Sequence, residues 1–161
     1  MKSISLTNST LTFLIDDADL HSIQQYQWYL INTGHGYAIR MTRPPYFSVG
    51  HLLLNIKHPE MEPDHIDRDP FNNQRINLRV ATKLQNAWNK RKPVTNTSGF
   101  KGVTWSKRAQ KWTAQIKVNG FCKGLGYYDL IESAAKAYDI AVKKYHGNFG
   151  VSNYEPKSDQ I

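Results

Sequence analysis

The sequence predicts an α+β protein. It reads as a β-rich N-terminal region, a strand–loop–strand–helix unit in the middle, and a C-terminal three-stranded antiparallel sheet packed on one helix. Three observations carry that expectation. Short runs rich in Thr, Ile, Leu, Phe and Tyr, broken by turn residues, fill residues 1–50. His, Asp and Asn crowd into residues 51–92. Residues 99–154 show three strand-like runs and then one amphipathic helical pattern.

In chain order, Ser3 to Ile15 reads as one or two short strands, and Asp16 to Gln27 holds a helical turn or two. Tyr37 to Arg43 and Tyr46 to Val49 read as strands around a Pro44-Pro45 turn. This region is near neutral, carries no chemical signature and is expected to support the unit after it. Asp64 and His65 should lie on the strand before a polar loop, and Asn77 to Arg79 leads through Val80 and Ala81 to a helix. That helix should begin at Thr82, where Thr82 and Gln85 have the spacing of a capping box. Residues 93–98, Pro-Val-Thr-Asn-Thr-Ser, lack periodicity and read as a linker. Gly102 to Ser106, Lys111 to Val118 and Phe121 to Tyr127 are the next strands, with the hairpin turn Asn119-Gly120 between the last two. The final helix should be capped by Asp129 with Glu132. It should bury Ala134, Ala135, Tyr138, Ala141, Val142 and Tyr145, and end at Gly147. Residues 155–161 read as a loose tail.

Charge narrows the function. The 161-residue chain has net charge +8. From Pro70 to Tyr128 there are twelve Lys and Arg and no Asp or Glu. So long an acid-free basic stretch points to an extended polyanion, because each cation that neutralises a phosphate releases a counterion. No apolar run approaches the ~20 residues that span a bilayer. Met1 to Leu14 alternates polar and apolar residues around a single Lys, unlike a secretion signal. The one cysteine, Cys122, cannot form an internal disulfide and fits a reducing cytoplasm. The expected partner is therefore an extended polyanion, which the resemblances below make duplex DNA, with no membrane and no small-molecule substrate, and the chain is expected to act as a monomer or weak dimer.

Asp64-His65-Ile66-Asp67, Asn72-Asn73, Asn77 and Asn86 concentrate the chemistry. Hydrolysing a phosphodiester needs a water, a group to take its proton, and a cation for the charge on the phosphate and leaving oxygen. A neutral histidine suits the base role near pH 7. A carboxylate and an amide oxygen are hard ligands that suit Mg²⁺. Neighbours on a strand face opposite ways, so Asp64 and His65 can serve one site only at a strand end or bulge. Asp67 and Asp69 read as turn acids that bind their own backbone. His51 reads as structural, and His35 and His58 as surface residues.

Asp64-His65-Ile66-Asp67, Asn72-Asn73-Gln74-Arg75, Asn77-Leu78-Arg79-Val80-Ala81-Thr82 and Gln85-Asn86 resemble the HNH homing endonucleases of phage and bacteria, over about forty residues. The resemblance implies a ββα-metal unit over residues 51–92. His65 would be its general base, Asp64 and Asn86 its metal ligands, and Asn77 the middle residue that steadies the loop. It is the variant with Asn at the final position. Mg²⁺ is the implied cofactor, with Mn²⁺ as a substitute. The His51-Leu52 pair lacks the Arg that often follows this His in the family.

Residues 99–154 need their own account. On an alternating pattern Val103, Trp105, Trp112, Ala114, Ile116 and Leu125 face the helix, while Thr104, Ser106, Thr113, Gln115 and Lys117 face out. A basic sheet face can enter the major groove, where Gln pairs with adenine. Ser98-Gly99-Phe100-Lys101-Gly102-Val103, Lys111-Trp112-Thr113-Ala114-Gln115-Ile116, Leu125-Gly126-Tyr127-Tyr128 and Ala134-Ala135-Lys136-Ala137-Tyr138-Asp139 resemble the APETALA-type domain of plant ethylene-response factors and of many phage HNH nucleases. By position this implies DNA contacts from Lys101, Gly102, Thr104, Ser106, Gln115 and Lys117, flanked by Lys107 and Lys123. Thr104 and Ser106 stand where plant members carry Arg, and Gly124 where an aromatic is common. Lys90, Arg91 and Lys92 should lie along phosphates between the two units. The combined expectation is a site-preferring endonuclease of homing type in the cytoplasm of a bacterium or phage-infected cell. A non-catalytic DNA-binding regulator is the alternative.

Overall fold

The computed structural model describes residues 1–33, 36–44 and 46–154. Expectations for His35, for the Pro45 half of the Pro-Pro turn and for the tail 155–161 lie outside the described residues. The chain divides into two compact units, Met1–Asn86 and Ala87–Ile161.

In the first unit the apolar runs near the N-terminus become β1 (Lys2–Ser5) and β2 (Thr12–Ile15), an antiparallel pair. A 3₁₀ turn (Asp17–Asp19) runs into a single helical turn, α1 (Leu20–Ile23). A second hairpin pairs β3 (Tyr29–Asn32) with β4 (Tyr37–Arg40). β3 is not legible as a strand in the sequence, because its neighbours Tyr26 and Trp28 are recruited to a core rather than to a sheet. Tyr46 to Val49 is not a strand either. Ser48 makes one bridge to Arg40 and then caps α2 (Val49–Leu53) through its side chain. Ser at a helix N-cap outcompetes a weak strand signal because it satisfies an otherwise orphaned N–H.

β5 (Met61–His65) and β6 (Leu78–Thr82) form the third antiparallel hairpin, and α3 (Lys83–Trp88) comes directly after it. One core serves the whole unit. Trp28 sits at its centre among Phe13, Ile15, Ile23, Val49 and Leu78, with its indole N–H donating to the Ile23 carbonyl at 2.9 Å. Phe13, Tyr26 and Phe47 pack around its ring. Residues 1–50 and the β5–β6 hairpin are thus one hydrophobic structure.

The second unit is a sheet of β7 (Val103–Ser106), β8 (Lys111–Val118) and β9 (Phe121–Tyr128), antiparallel throughout, with α4 (Ile131–Tyr145) against it. Asn119 and Gly120 both take positive φ, 49° and 86°, as a two-residue turn of this kind requires. Val103, Ala114 and Ile116 are buried beneath Ala134, Ala135, Tyr138, Ala141 and Val142. The register shifts between Ala114 and Gln115, which turns Leu125 into the core. Trp105 lies on the helix side by register but is 44% exposed, because β7 is an edge strand, and Trp105 meets Trp112 edge-on. The expected Asp129–Glu132 capping box is not formed. Leu130 occupies the N-cap without a side-chain bond, and Asp129 is drawn to Lys111 at 3.1 Å. Residues 93–98 carry neither helix nor strand, yet Asn96 and Ser98 bond to Phe100 and Val103.

Candidate functional site

His65 is the last residue of β5. Asp64 pairs with Arg79 across the hairpin and His65 with Leu78. The two side chains therefore emerge on opposite faces. Asp64 is 3% exposed and takes the Arg79 guanidinium at 2.7 Å. Glu62, two residues earlier, shares its face and accepts a 3.0 Å hydrogen bond from the Asn86 amide on α3. The helix begins where expected. Gln85 N–H donates to the Thr82 hydroxyl at 3.2 Å, and the Gln85 side chain accepts from Thr82 N–H at 2.8 Å. The Thr82 capping box thus sets the start of α3, and Glu62 holds Asn86 against β5.

The loop between the strands is held by its own side chains. Asn77, which is buried, accepts from Asp67 N–H and donates to the Asp67 carboxylate and the Asn72 carbonyl. Asp67 and Asp69 accept from backbone N–H groups two residues on, the turn-acid behaviour their spacing predicts. Burial pushes the Asp67 carboxyl up, but hydrogen bonds from Asp69, Asn72 and Asn77 and the nearby His65 together hold it below the usual range. Asn73, 1% exposed, accepts at Oδ1 opposite His65 Nε2, 3.1 Å away. The N-terminal region fastens the loop from outside. Leu14 exchanges backbone bonds with Phe71 and Asn73, Asp16 accepts from Arg75 N–H at 2.8 Å, and the nearly buried Asp19 takes the Arg75 side chain at 2.6 Å. His51 is tied to Ser48 through Nδ1 at 2.8 Å, and burial lowers its pKa, partly offset by Glu62.

Glu62 lies outside the sequence motif, and Asn73 and Arg79 stand inside it without an assigned role. Period-two alternation from Asp64 does put Glu62 on its face, and that is the signal that could have found it. Among the described residues no group of three or more His, Cys, Asp or Glu is placed to hold a metal.

In the second unit Thr104, Thr113 and Tyr127 form one cross-strand row, away from α4. Gln115 and Lys117 lie further along β8, opposite Gly124 and Cys122, and both are exposed. Tyr127, 62% exposed, belongs to this face and was not singled out from sequence. Ser106 pairs with Lys111 near the open end, and Lys107 is exposed beyond it. Lys90 and Arg91 are exposed, as is Lys92, whose ammonium meets the Gly99 carbonyl. Three expected contacts have other engagements. Lys101 donates to the carbonyls of Trp88 and Lys90 at 2.8 and 2.6 Å. Gly102 is packed under Tyr138. Lys123 pairs with buried Ile116, so it leans to the helix side, 6.0 Å from the Tyr145 ring centre. His146 stacks on Trp88 at 4.2 Å and meets the Lys117 carbonyl at 2.8 Å, and burial lowers its pKa.

No family model and no solved structure matches the chain. APETALA2-like protein 2 of Oryza sativa subsp. japonica is 35% identical over 77 residues, 45% of this chain and 18% of that protein. A protein of Acanthamoeba polyphaga mimivirus named as an uncharacterized HNH endonuclease is 28% identical over 133 residues, 81% of this chain and 68% of that protein. Protein 3.8 of Escherichia phage T7 is 38% identical over 86 residues, 53% of this chain and 70% of that protein. On that last match, the chain belongs to the family of phage T7 Protein 3.8.

Proposed function

We propose that the chain is a metal-dependent DNA endonuclease of the HNH type, with β5, β6 and α3 as its ββα-metal unit and the β7–β9 sheet as its duplex-binding face. The observation that carries this reading is the hairpin itself. It sets a histidine at a strand end, a carboxylate on the opposite face, and an amide from the following helix beside that carboxylate's face. The names of the mimivirus and plant relatives agree with nuclease and DNA-binding roles.

In this reading His65 takes a proton from the attacking water. Asn77 holds the loop through both ends of its amide. Asp64 and Asn86 are the residues that would hold Mg²⁺ or Mn²⁺. Their chemistry fits, since both offer hard oxygens. Asn86 gives its N–H to Glu62, a carboxylate that only accepts, which turns its Oδ1 away from Glu62. Two protein oxygens are a small set, in keeping with a cation that binds through one or two side chains plus substrate phosphate. When bound, it would supply positive charge for the phosphate and leaving oxygen. Gln115, Thr104 and Lys117 would read or grip the duplex from the outer sheet face, and Lys90, Arg91 and Lys92 its phosphates.

A non-catalytic DNA-binding protein is the competing reading. It is favoured by the burial of Asp64 against Arg79, which satisfies that carboxylate without a cation. Plasmid nicking with Mg²⁺ separates the two. His65→Ala should cut the rate by ~100-fold or more, the scale of a lost general base, with DNA binding near wild type. Asn86→Ala should lower the apparent affinity for Mn²⁺. A His65→Ala protein that nicks at the wild-type rate would show that the site is assigned wrongly.

A further inference from the structure

The tautomer of His65 is written into its surroundings, and its functional meaning rests on the reading of His65 as the base. Asn73 donates its side-chain N–H to the Pro70 carbonyl at 2.9 Å. A carbonyl oxygen only accepts, so Nδ2 is the amide atom on that side. The other atom, Oδ1, is the one that meets His65 Nε2 at 3.1 Å. An amide oxygen also only accepts, so Nε2 must carry the hydrogen. A neutral imidazole has one N–H and one lone pair. We propose that Asn73 is a positioning residue that holds neutral His65 as the Nε2–H tautomer, so that Nδ1 carries the lone pair that receives the water's proton.

The arrangement is built to keep that choice. Asn73 is buried, and its backbone N–H donates to the Leu14 carbonyl at 2.8 Å. Leu14 N–H donates in turn to the Phe71 carbonyl at 2.8 Å, and Leu14 bridges Asn72 in parallel register. Strand β2 thus fixes the backbone on both sides of the amide that faces the ring. The N-terminal region therefore does more than support the hairpin: through Asn73 it selects which ring nitrogen is basic. In the step itself an O–H bond of water breaks, its proton goes to Nδ1, and the oxygen's electron pair forms the new bond to phosphorus. The P–O bond to the leaving oxygen breaks with its electron pair, and solvent protonates that oxygen. The resulting imidazolium keeps its Nε2–H bond to Asn73, now charge-assisted and stronger.

The test is long-range ¹H–¹⁵N NMR on the labelled full-length protein at a pH where the ring is neutral, with His65 assigned by comparison with His65→Gln. One tautomer is expected, with a protonated, pyrrole-type Nε2 and a pyridine-type Nδ1. An Nδ1–H ring, or a mixture of both forms, overturns the proposal. Asn73→Ala should release the ring to a mixture and lower kcat about tenfold, the rate equivalent of one hydrogen bond, with KM little changed. Asn73→Asp keeps an acceptor opposite Nε2 and should restore the single tautomer. A folded Asn73→Ala protein that stays wholly Nε2–H would remove Asn73 from the role. If His65→Ala cuts normally while the tautomer is as stated, the assignment of His65 as the base fails and the structural inference stands.

Discussion

At Gly102 the backbone takes φ +75°, and a Cβ there would lie 2.0 Å from the Tyr138 ring and 2.8 Å from the Gln115 carbonyl oxygen. Two costs combine in Gly102→Ala: left-handed strain of ~1–2 kcal/mol and overpacking of ~1–3 kcal/mol. A loss of about 2–5 kcal/mol is expected in urea denaturation of the full chain, and wild-type stability would mean that the segment shifts at no cost. Packing alone thus accounts for a glycine that the family resemblance marks as a DNA contact. The Tyr138 hydroxyl is pushed up to about 12 by burial and by Asp139, so it stays neutral in its place under the sheet. Residue scale also decides which mutation tests the metal cleanly. Asp64→Ala would strip the part-buried Arg79 of its carboxylate and mix a folding defect with a lost ligand. Asn86→Ala leaves only Glu62 without its donor, and Glu62 is partly open to water.

Elements this short depend on their ends. α3 has six residues and none of them is fully buried, so neither length nor core contact secures it. Its start relies on the reciprocal Thr82–Gln85 bonds, and Lys101 takes the carbonyls of Trp88 and Lys90 at the other end. Thr82→Ala should destabilise the protein by ~0.5–2 kcal/mol. Because α3 carries Asn86, the same change should slow nicking while DNA affinity holds. Equal loss of affinity and rate would show that the helix start matters to binding instead. α4 is secured differently. With no side-chain cap at Leu130, it relies on a buried stripe of Ala134, Ala135, Tyr138, Ala141 and Val142. Asp139, on the same helix, accepts from Asn153 and Tyr154 N–H, which seats the following segment.

At the scale of the whole molecule, each unit has its own core. Residues 94–161 hold ten of the 21 Lys and Arg. Deleting them should leave a folded first unit that binds duplex weakly and without preference. If about six of those cations meet phosphates, the slope of log affinity against log salt should flatten by roughly five. Titration of a fluorescent duplex at several salt concentrations measures it. An unchanged slope would place the duplex-binding surface in residues 1–93.

What the sequence determined by itself is what short range controls. Alternation over Lys111 to Val118, the Asn119-Gly120 turn, the Thr82–Gln85 capping box and the helical stripe of α4 all arise from backbone periodicity and bonds between residues a few positions apart. The spacing of Asp64, His65, Asn77 and Asn86 was legible as a motif, while the strand ends and faces they occupy came from the hairpin register. Where two local signals competed, sequence chose wrongly. Ser48 became a helix cap rather than part of a strand, and Asp129 went to Lys111 rather than to the start of α4. Tertiary structure alone decided the long-range partners. It joined Asp16 and Asp19 to Arg75, Leu14 to Asn73, Glu62 to Asn86, and Lys101 to the carbonyls of Trp88 and Lys90. A Lys, Asp or Asn carries no local mark of which distant group it will meet. That choice is made when core packing around Trp28 in one unit, and between sheet and helix in the other, brings strands and loops together and so sets which groups a buried polar side chain can reach.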